Sequence, residues 1–162
     1  MAKKIEKTNA ARLLDRAKIA YELVPYEVDE NNLAATHVAE SLGEPIERVY
    51  KTLVLKGDRN GHFVCIVQGD KEVDLKAAAK VSGNKSAEMI PMKELLPTTG
   101  YIRGGCTAIG MKKQFKTVIH KTAADFDTIM FSAGKIGYQL QINPNTLAEL
   151  IGAEFGDIVL RA

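Results

Sequence analysis

Residues 51–68 read KTLVLKGDRNGHFVCIVQ, and this stretch decides the fold. Two runs rich in β-branched and apolar residues flank the turn formers Asp58-Arg59-Asn60-Gly61, so the segment predicts an antiparallel hairpin that starts at Lys51 and returns through residues 62–68. The elements around it are short and of mixed type. Upstream, Thr8 can cap a helix running to Lys18 with Leu13, Leu14 and Ala17 on one face, followed by an extended stretch over 21–28. Thr36 and Pro45 each open a further short helix. Downstream, Asp74 caps a helix with Leu75, Ala78, Ala79 and Ser82 on one face and Gly83 at its end, and residues 93–96 make at most one more turn. Strands are predicted at 116–120, 128–132 and 137–142. Asn143 and Pro144 then start a helix with Leu147, Leu150 and Ile151 inward and Gly152 at its end, before a closing strand within 154–160.

Hairpins outnumber regular strand-helix-strand crossovers in this pattern. It predicts an α/β (α+β) fold, a mixed and mostly antiparallel sheet, curved or closed into a barrel, with helices packed outside. At 162 residues the chain fits one domain over 1–162, large enough to bury roughly 70% of the surface its unfolded form exposes, so neither disulfide nor metal is needed to fold it. Charged residues at 26% and hydrophobic residues at 46% are ordinary for a soluble protein. The N-terminal segment lacks the apolar core of a signal peptide, and no segment approaches the ~20 apolar residues of a membrane span, which predicts a cytoplasmic protein.

A net charge of +2 is too small for wholesale coating of nucleic acid, so any anion binding must come from local clustering. Residues 101–122, YIRGGCTAIGMKKQFKTVIHKT, supply such a cluster: five Lys or Arg residues, two adjacent glycines and no carboxylate. Gly104 and Gly105 let main-chain N–H groups approach a ligand without a Cβ in the way, while Arg103, Lys112, Lys113, Lys116 and Lys121 attract anions without reading base sequence. A phosphate backbone is the anion this composition suits best.

Side chains that could do chemistry are sparse. His37, His62 and His120 have no carboxylate or nucleophile at a spacing that suggests a dyad, and no Gly-x-Ser-x-Gly elbow, phosphate-binding P-loop, dinucleotide fingerprint or His-Glu-x-x-His pair occurs. Cys65 and Cys106 lie far apart without metal-ligand spacing, so no metal site, cofactor or disulfide is indicated. Cys65 belongs to an apolar strand, and Cys106 reads as a lining residue because no base is assigned to it. Taken singly, Lys51 reads as a solvated edge charge, Ser132 as a turn former, the paired glycines as a tight bend, and Tyr26 equally as packing or as a wall.

Three separated pieces gain meaning together: Lys51-Thr52-Leu53, the loop Gly104-Gly105-Cys106-Thr107-Ala108-Ile109-Gly110, and Ser132-Ala133-Gly134-Lys135. In this order, over nearly the whole chain, the set resembles the YbaK/EbsC family of aminoacyl-tRNA deacylases, free-standing relatives of the editing domain inserted in bacterial prolyl-tRNA synthetases. The segments TGYIRGGC, IGMKK and SAGK are similar to the branch that acts on Cys-tRNA(Pro) and Cys-tRNA(Cys). The resemblance implies that Lys51 positions the aminoacyl-adenosine end, that the loop backbone around Gly105 contacts the reacting carbonyl, and that Ser132 lines the pocket with a catalytic role. It also implies that Tyr26, Thr52, Gly104, Cys106, Thr107, Ala108 and Gly134 surround the substrate, and that Arg103, Lys112, Lys113 and Lys116 contact the tRNA. The resemblance implies that relatives usually carry proline where Ala108 stands; proline would fix φ near -65° and stiffen the loop.

The family role implies trans-editing of mischarged tRNA, with tRNA as substrate, a prolyl-tRNA synthetase as transient partner and no cofactor. An aminoacyl ester is already activated, so positioning and oxyanion stabilisation suffice, and a cysteinyl ester adds its own thiol as an intramolecular nucleophile. A deacylase for another mischarged tRNA such as Ala-tRNA(Pro), and a non-catalytic module that binds tRNA ends or a synthetase, are the alternatives.

Overall fold

The computed structural model of the protein describes residues 7–29 and 31–161, so the first six residues of the N-terminal segment lie outside it. The hairpin forms as predicted. Strands β2 (Tyr50–Gly57) and β3 (Gly61–Gln68) pair antiparallel from Tyr50 opposite Gln68 to Gly57 opposite Gly61. Its turn is held by a polar knot that sequence spacing does not reveal. Asn84 Oδ1 accepts the N–H groups of Arg59 (2.9 Å) and Asn60 (2.8 Å), and Asn84 Nδ2 donates to Ser82 Oγ. A Cβ on Gly57 would fall 2.1 Å from Asn84 Cγ, so glycine is required there by close approach.

Strand β3 is apolar without alternation because both of its faces are covered. Val64 and Ile66 pack into one cluster with Leu14, Phe131, Leu140 and Leu147, whereas Phe63, Cys65 and Val67 pack into another with Leu55, Ala78, Val118 and Ile158. The remaining strands are β1 (Glu22–Pro25), β4 (Ala87–Met89), β5 (Lys116–His120), β6 (Ile129–Ser132), β7 (Tyr138–Ile142) and β8 (Glu154–Gly156). They form two sheets where one was expected: five strands in the order β4-β2-β3-β5-β8 and three in the order β1-β7-β6. A parallel bridge from Val49, just before β2, to Met130 on β6 links the two sheets. The pairs β3–β5 and β5–β8 are parallel and the rest antiparallel, so the mixed, mostly antiparallel character holds. A parallel pair needs a long crossover, and the one between β3 and β5 carries the glycine-rich loop.

Helix α1 (Asn9–Arg16) begins where expected, with the Ala11 N–H donating to Thr8 Oγ1, but stops before Lys18, which has φ +59°. Its buried face is Ala10, Ala11 and Leu14, and Ala17 is exposed. Helix α2 (Ala35–Leu42) ends at Gly43, and Pro45 leads into a 3-10 turn, Ile46–Arg48. Asp74 caps α3 (Leu75–Val81) as predicted, with Ala78, Ala79 and Ser82 buried and Leu75 largely exposed. Residues 92–99 form a two-turn helix, α4 (Met92–Thr99), longer than the single turn expected. Pro97 forfeits one backbone bond near its end, and Gly100 terminates it at φ +88°. Asn143 Oδ1 caps α5 (Pro144–Ile151) by accepting the Asn145 and Thr146 N–H groups.

The C-terminal segment is clipped to the core by His120, whose Nδ1 accepts the N–H of the fully buried Ile158 at 3.2 Å. Burial lowers the His120 pKa from the ordinary imidazole value, with the Asp157 carboxylate opposing and Lys121 reinforcing the shift. A histidine held neutral in the folded state contributes stability above its unfolded value of about 6.5 and loses it as pH falls towards the lower folded value. Thermal unfolding is therefore expected to show a drop in midpoint between pH 7.5 and 5 that is smaller in His120→Gln, which keeps an acceptor that cannot be protonated. An equal drop in both proteins would remove His120 as the cause.

Candidate active site

A cleft of about 490 Å³ opens where the start of β2, the glycine-rich loop and the ends of β6 and β7 meet. Lys51, Thr52 and Leu53 come from β2, Arg103, Gly104 and Cys106 from the loop, Ser132 from β6 and Gln139 from β7. The three separated sequence pieces thus converge. The reason is register: the Val49–Met130 bridge runs parallel, which sets Lys51 and Ser132 two residues beyond a shared point. Leu33, Val38, Ile90 and Leu95 make the apolar part of the wall.

The loop owes its shape to a tight turn. The Gly105 N–H donates to the Ile102 carbonyl at 3.0 Å, with Gly104 at φ +83° inside the turn. A Cβ on Gly105 would lie 3.3 Å from the Ile136 backbone nitrogen, so the missing side chain lets the loop rest against residues 135–136. Tyr101 closes the loop by donating its hydroxyl to the Ile109 carbonyl at 2.6 Å. These contacts change the assignment of the donor expected from Gly105: its amide already serves the turn. Gly104 and Cys106 line the cleft on either side, and among the described residues their N–H groups have no hydrogen-bond partner.

Ser132 is oriented by its own loop. Its Oγ accepts the Gly134 N–H at 3.1 Å, which leaves the hydroxyl proton available to a ligand. Gly134, Gly105, Thr107, Ala108 and Tyr26 are not among the residues lining the cleft. Thr107 is a fully buried member of the loop, and Tyr26, also buried, donates its N–H to the Gly137 carbonyl at 2.9 Å. The wall expected of Tyr26 is supplied by Leu33 and the start of α2. Ala108 borders a separate hollow with Leu13, Met111 and Leu150.

Lys51 and Arg103 are the cations that line the cleft. Partial burial pushes the Lys51 pKa down from the usual lysine value, and the carboxylates of Glu72 and Asp70 offset this only in part. Cys106 is no ready nucleophile. Burial pushes its thiol up to about 11, so it stays protonated at neutral pH. Cys65, deeper in the core, is pushed up to about 12.

The basic run does not form a bare positive face. Lys116 pairs with Glu154 at 3.5 Å, Lys121 with Asp157 at 3.4 Å, the Lys112 ammonium donates to the Pro97 carbonyl, and Lys113 lies over the Phe115 ring. Of these cations only Arg103 lines the cleft. Both ion pairs are exposed and screened by solvent, so an incoming phosphate can displace them.

Sequence reasoning missed Gln139. Its one signal is a glutamine at a position between buried Tyr138 and Leu140 in a central strand, where polar groups need a partner. Among the described residues no cluster of His, Cys, Asp or Glu is arranged to hold a metal ion, and no helix is long and apolar enough to cross a membrane.

Comparison with known proteins fits this geometry. Residues 29–150 match the model of the aminoacyl-tRNA editing domain. The chain is 44% identical, over 99% of both sequences, to an Enterococcus faecalis protein named "Putative Cys-tRNA(Pro)/Cys-tRNA(Cys) deacylase EbsC". It is also 30% identical, over 78% of its own length and 22% of the relative's, to a proline–tRNA ligase of Cupriavidus necator. A solved structure described as "a putative trans-editing enzyme for prolyl tRNA synthetase" shares the fold with a TM-score of 0.80 at 19% identity, covering 95% of this chain and 99% of that one. Full-length similarity, the matched domain and the convergence of the three pieces on one cleft make this chain a member of the YbaK/EbsC family of aminoacyl-tRNA editing domains.

Proposed function

We propose that the protein is a cytoplasmic trans-editing deacylase that cleaves the ester of Cys-tRNA(Pro), and of Cys-tRNA(Cys), with the substrate's own thiol as the nucleophile. The observation that carries this reading is a cleft lined by a half-buried lysine, loop backbone and a serine, whose one thiol is held protonated at about 11. Such a cleft positions an ester and has no reactive side chain of its own to attack it. In the proposed step the cysteinyl sulfur attacks the ester carbonyl, the new C–S bond closes a thiolactone ring, and the C–O bond to ribose breaks. The thiol proton leaves with the ribose oxygen, and water later opens the thiolactone to free cysteine.

Lys51 would hold the acceptor-end adenosine and Ser132 the aminoacyl group. The unpartnered Gly104 and Cys106 amides would donate to the developing oxyanion, in place of the Gly105 amide that the turn consumes. One such donor contributes roughly 2.7 to 4 kcal/mol to transition-state stabilisation. Arg103 would meet the terminal phosphate, with Lys112, Lys113 and Lys116 further along the acceptor strand. Nothing in the cleft reads bases, so choice of tRNA would fall to a prolyl-tRNA synthetase met transiently.

A deacylation panel on tRNA(Pro) tests the reading. Multiple turnovers on the cysteinyl ester, with alanyl and prolyl esters at least ~100-fold slower, are expected, because neither has a thiol to cyclise. Preference for Ala-tRNA(Pro) would establish a water-attacking editor instead, and binding without turnover would establish a non-catalytic module.

A further inference from the structure

The strand that carries Lys51 has a gap along one edge. On its other edge β2 pairs with β3 over its whole length, from Tyr50 opposite Gln68 to Gly57 opposite Gly61. On the gapped edge β4 pairs only with Leu55, Lys56 and Gly57, the Ile90 N–H adds one bond to the Val54 carbonyl, and the bridge to β6 stands at Val49. Pro91 follows Ile90 and leads into α4, which takes the chain away from β2. Thr52 is left between these contacts, with no ladder partner on that side among the described residues. Residues 51–53 are half-buried there, between buried Tyr50 and Val54, and all three line the cleft.

Alternation fixes which main-chain groups face the gap. In an antiparallel pair, successive residues turn their N–H and C=O to opposite edges. The Val54 carbonyl accepts the Ile90 N–H and the Asp58 N–H donates to the Ser86 carbonyl, so Val54, Lys56 and Asp58 face β4. Thr52, two residues before Val54, turns both its N–H and its C=O the same way, towards the cleft. Such a pair is completed by a group whose donor and acceptor are disposed like those of a residue, N–Cα–C=O. At the end of a charged tRNA the amino acid has that arrangement. Esterification leaves the ribose one hydroxyl beside an ester oxygen, a poor acceptor, and in adenine the donor and the acceptor share one carbon.

We infer that the aminoacyl group docks as a one-residue antiparallel bridge to Thr52, its α-amino group donating to the Thr52 carbonyl and its own carbonyl accepting the Thr52 N–H. The docking rests on the deacylase reading above and gives it a stereochemical rule. Residues opposite each other in an antiparallel pair place their side chains on one face, so an L-amino acid sends its side chain to the face that carries the side chains of Thr52 and Val54. Val54, Ile90, Leu95 and Cys106, which pack in one apolar cluster, line the cleft there. A D-amino acid would point to the face of Lys51 and Leu53 instead.

Amide hydrogen exchange, read by NMR, tests the docking. In the free protein the Thr52 N–H should exchange at least ~10-fold faster than the Lys51 and Leu53 amides, which face β3. Saturation with L-cysteinyl-adenosine, carrying an amide in place of the ester, should slow Thr52 at least ~10-fold, whereas adenosine alone and the D-cysteinyl analogue should change it less than ~2-fold. The 3-mercaptopropionyl counterpart, which lacks the α-amino group, should bind about 10-fold more weakly. The inference is overturned by a Thr52 amide already protected in the free protein, left unchanged by the L-cysteinyl compound, or slowed equally by adenosine or the D-cysteinyl analogue. Equal affinity for the 3-mercaptopropionyl compound overturns it as well. Protection of Thr52 without turnover of Cys-tRNA(Pro) would instead sink the deacylase reading and keep the docking, and turnover without protection would do the reverse.

Discussion

Lys51→Ala is expected to lower kcat/KM for Cys-tRNA(Pro) by at least ~100-fold, the scale of one lost transition-state contact, with a thermal midpoint close to that of the wild type. Lys51 lines the cleft, and among the described residues it makes no ion pair within 4.0 Å; its attraction to Asp70 and Glu72 is long-range. Partial burial already disfavours its charge, so removing the ammonium relieves a desolvation cost and leaves no buried partner stranded. Stability and activity are thereby separated at this residue. Lys51→Arg keeps the charge on a wider planar group and should recover only part of the activity. A Lys51→Ala protein within threefold of wild type in kcat/KM would remove the lysine from the chemistry.

Much of this architecture could be read from residue order. The hairpin, the Asp74 and Asn143 caps and the strands at 116–120, 129–132 and 138–142 follow from turn chemistry, capping side chains and apolar runs, all local signals. The features that sequence hides are those settled by partners far along the chain. How the two sheets meet depends on an isolated bridge between Val49 and Met130, 81 residues apart. β4 is three residues long and owes its existence to pairing with β2. The cations of 101–122 look uncompensated because the partners of Lys116 and Lys121, Glu154 and Asp157, lie more than thirty residues away.

The site shows the same division. Lys51, Gly104, Cys106 and Ser132 were identifiable through their joint resemblance to a family, and they do meet in the cleft. Which glycine amide remains for a ligand was not readable. Two adjacent glycines are equivalent as letters, and only the bond from Gly105 to Ile102 shows which one the turn consumes. Gln139 was hidden for a related reason, since a glutamine in a strand is unremarkable until its burial and missing partner are known.

The second large effect concerns the substrate. S-methylation of the cysteinyl group removes the thiol proton and blocks ring closure while changing the volume of the amino acid by one methyl group. Size selection alone separates such a difference by about 1 to 3 kcal/mol, roughly 10- to 200-fold. Intramolecular attack reaches effective molarities of about 10⁵ to 10⁸ M in favourable geometry, so its loss should exceed any size effect even after the strain of a small ring. No side chain in the cleft is placed to substitute, given a Cys106 thiol held protonated at about 11. The decisive measurement is the single-turnover cleavage rate of Cys-tRNA(Pro) against its S-methyl counterpart at saturating protein. A ratio of at least ~1,000 is expected. Equal rates for the two esters would contradict attack by the substrate thiol and assign the cleavage to water.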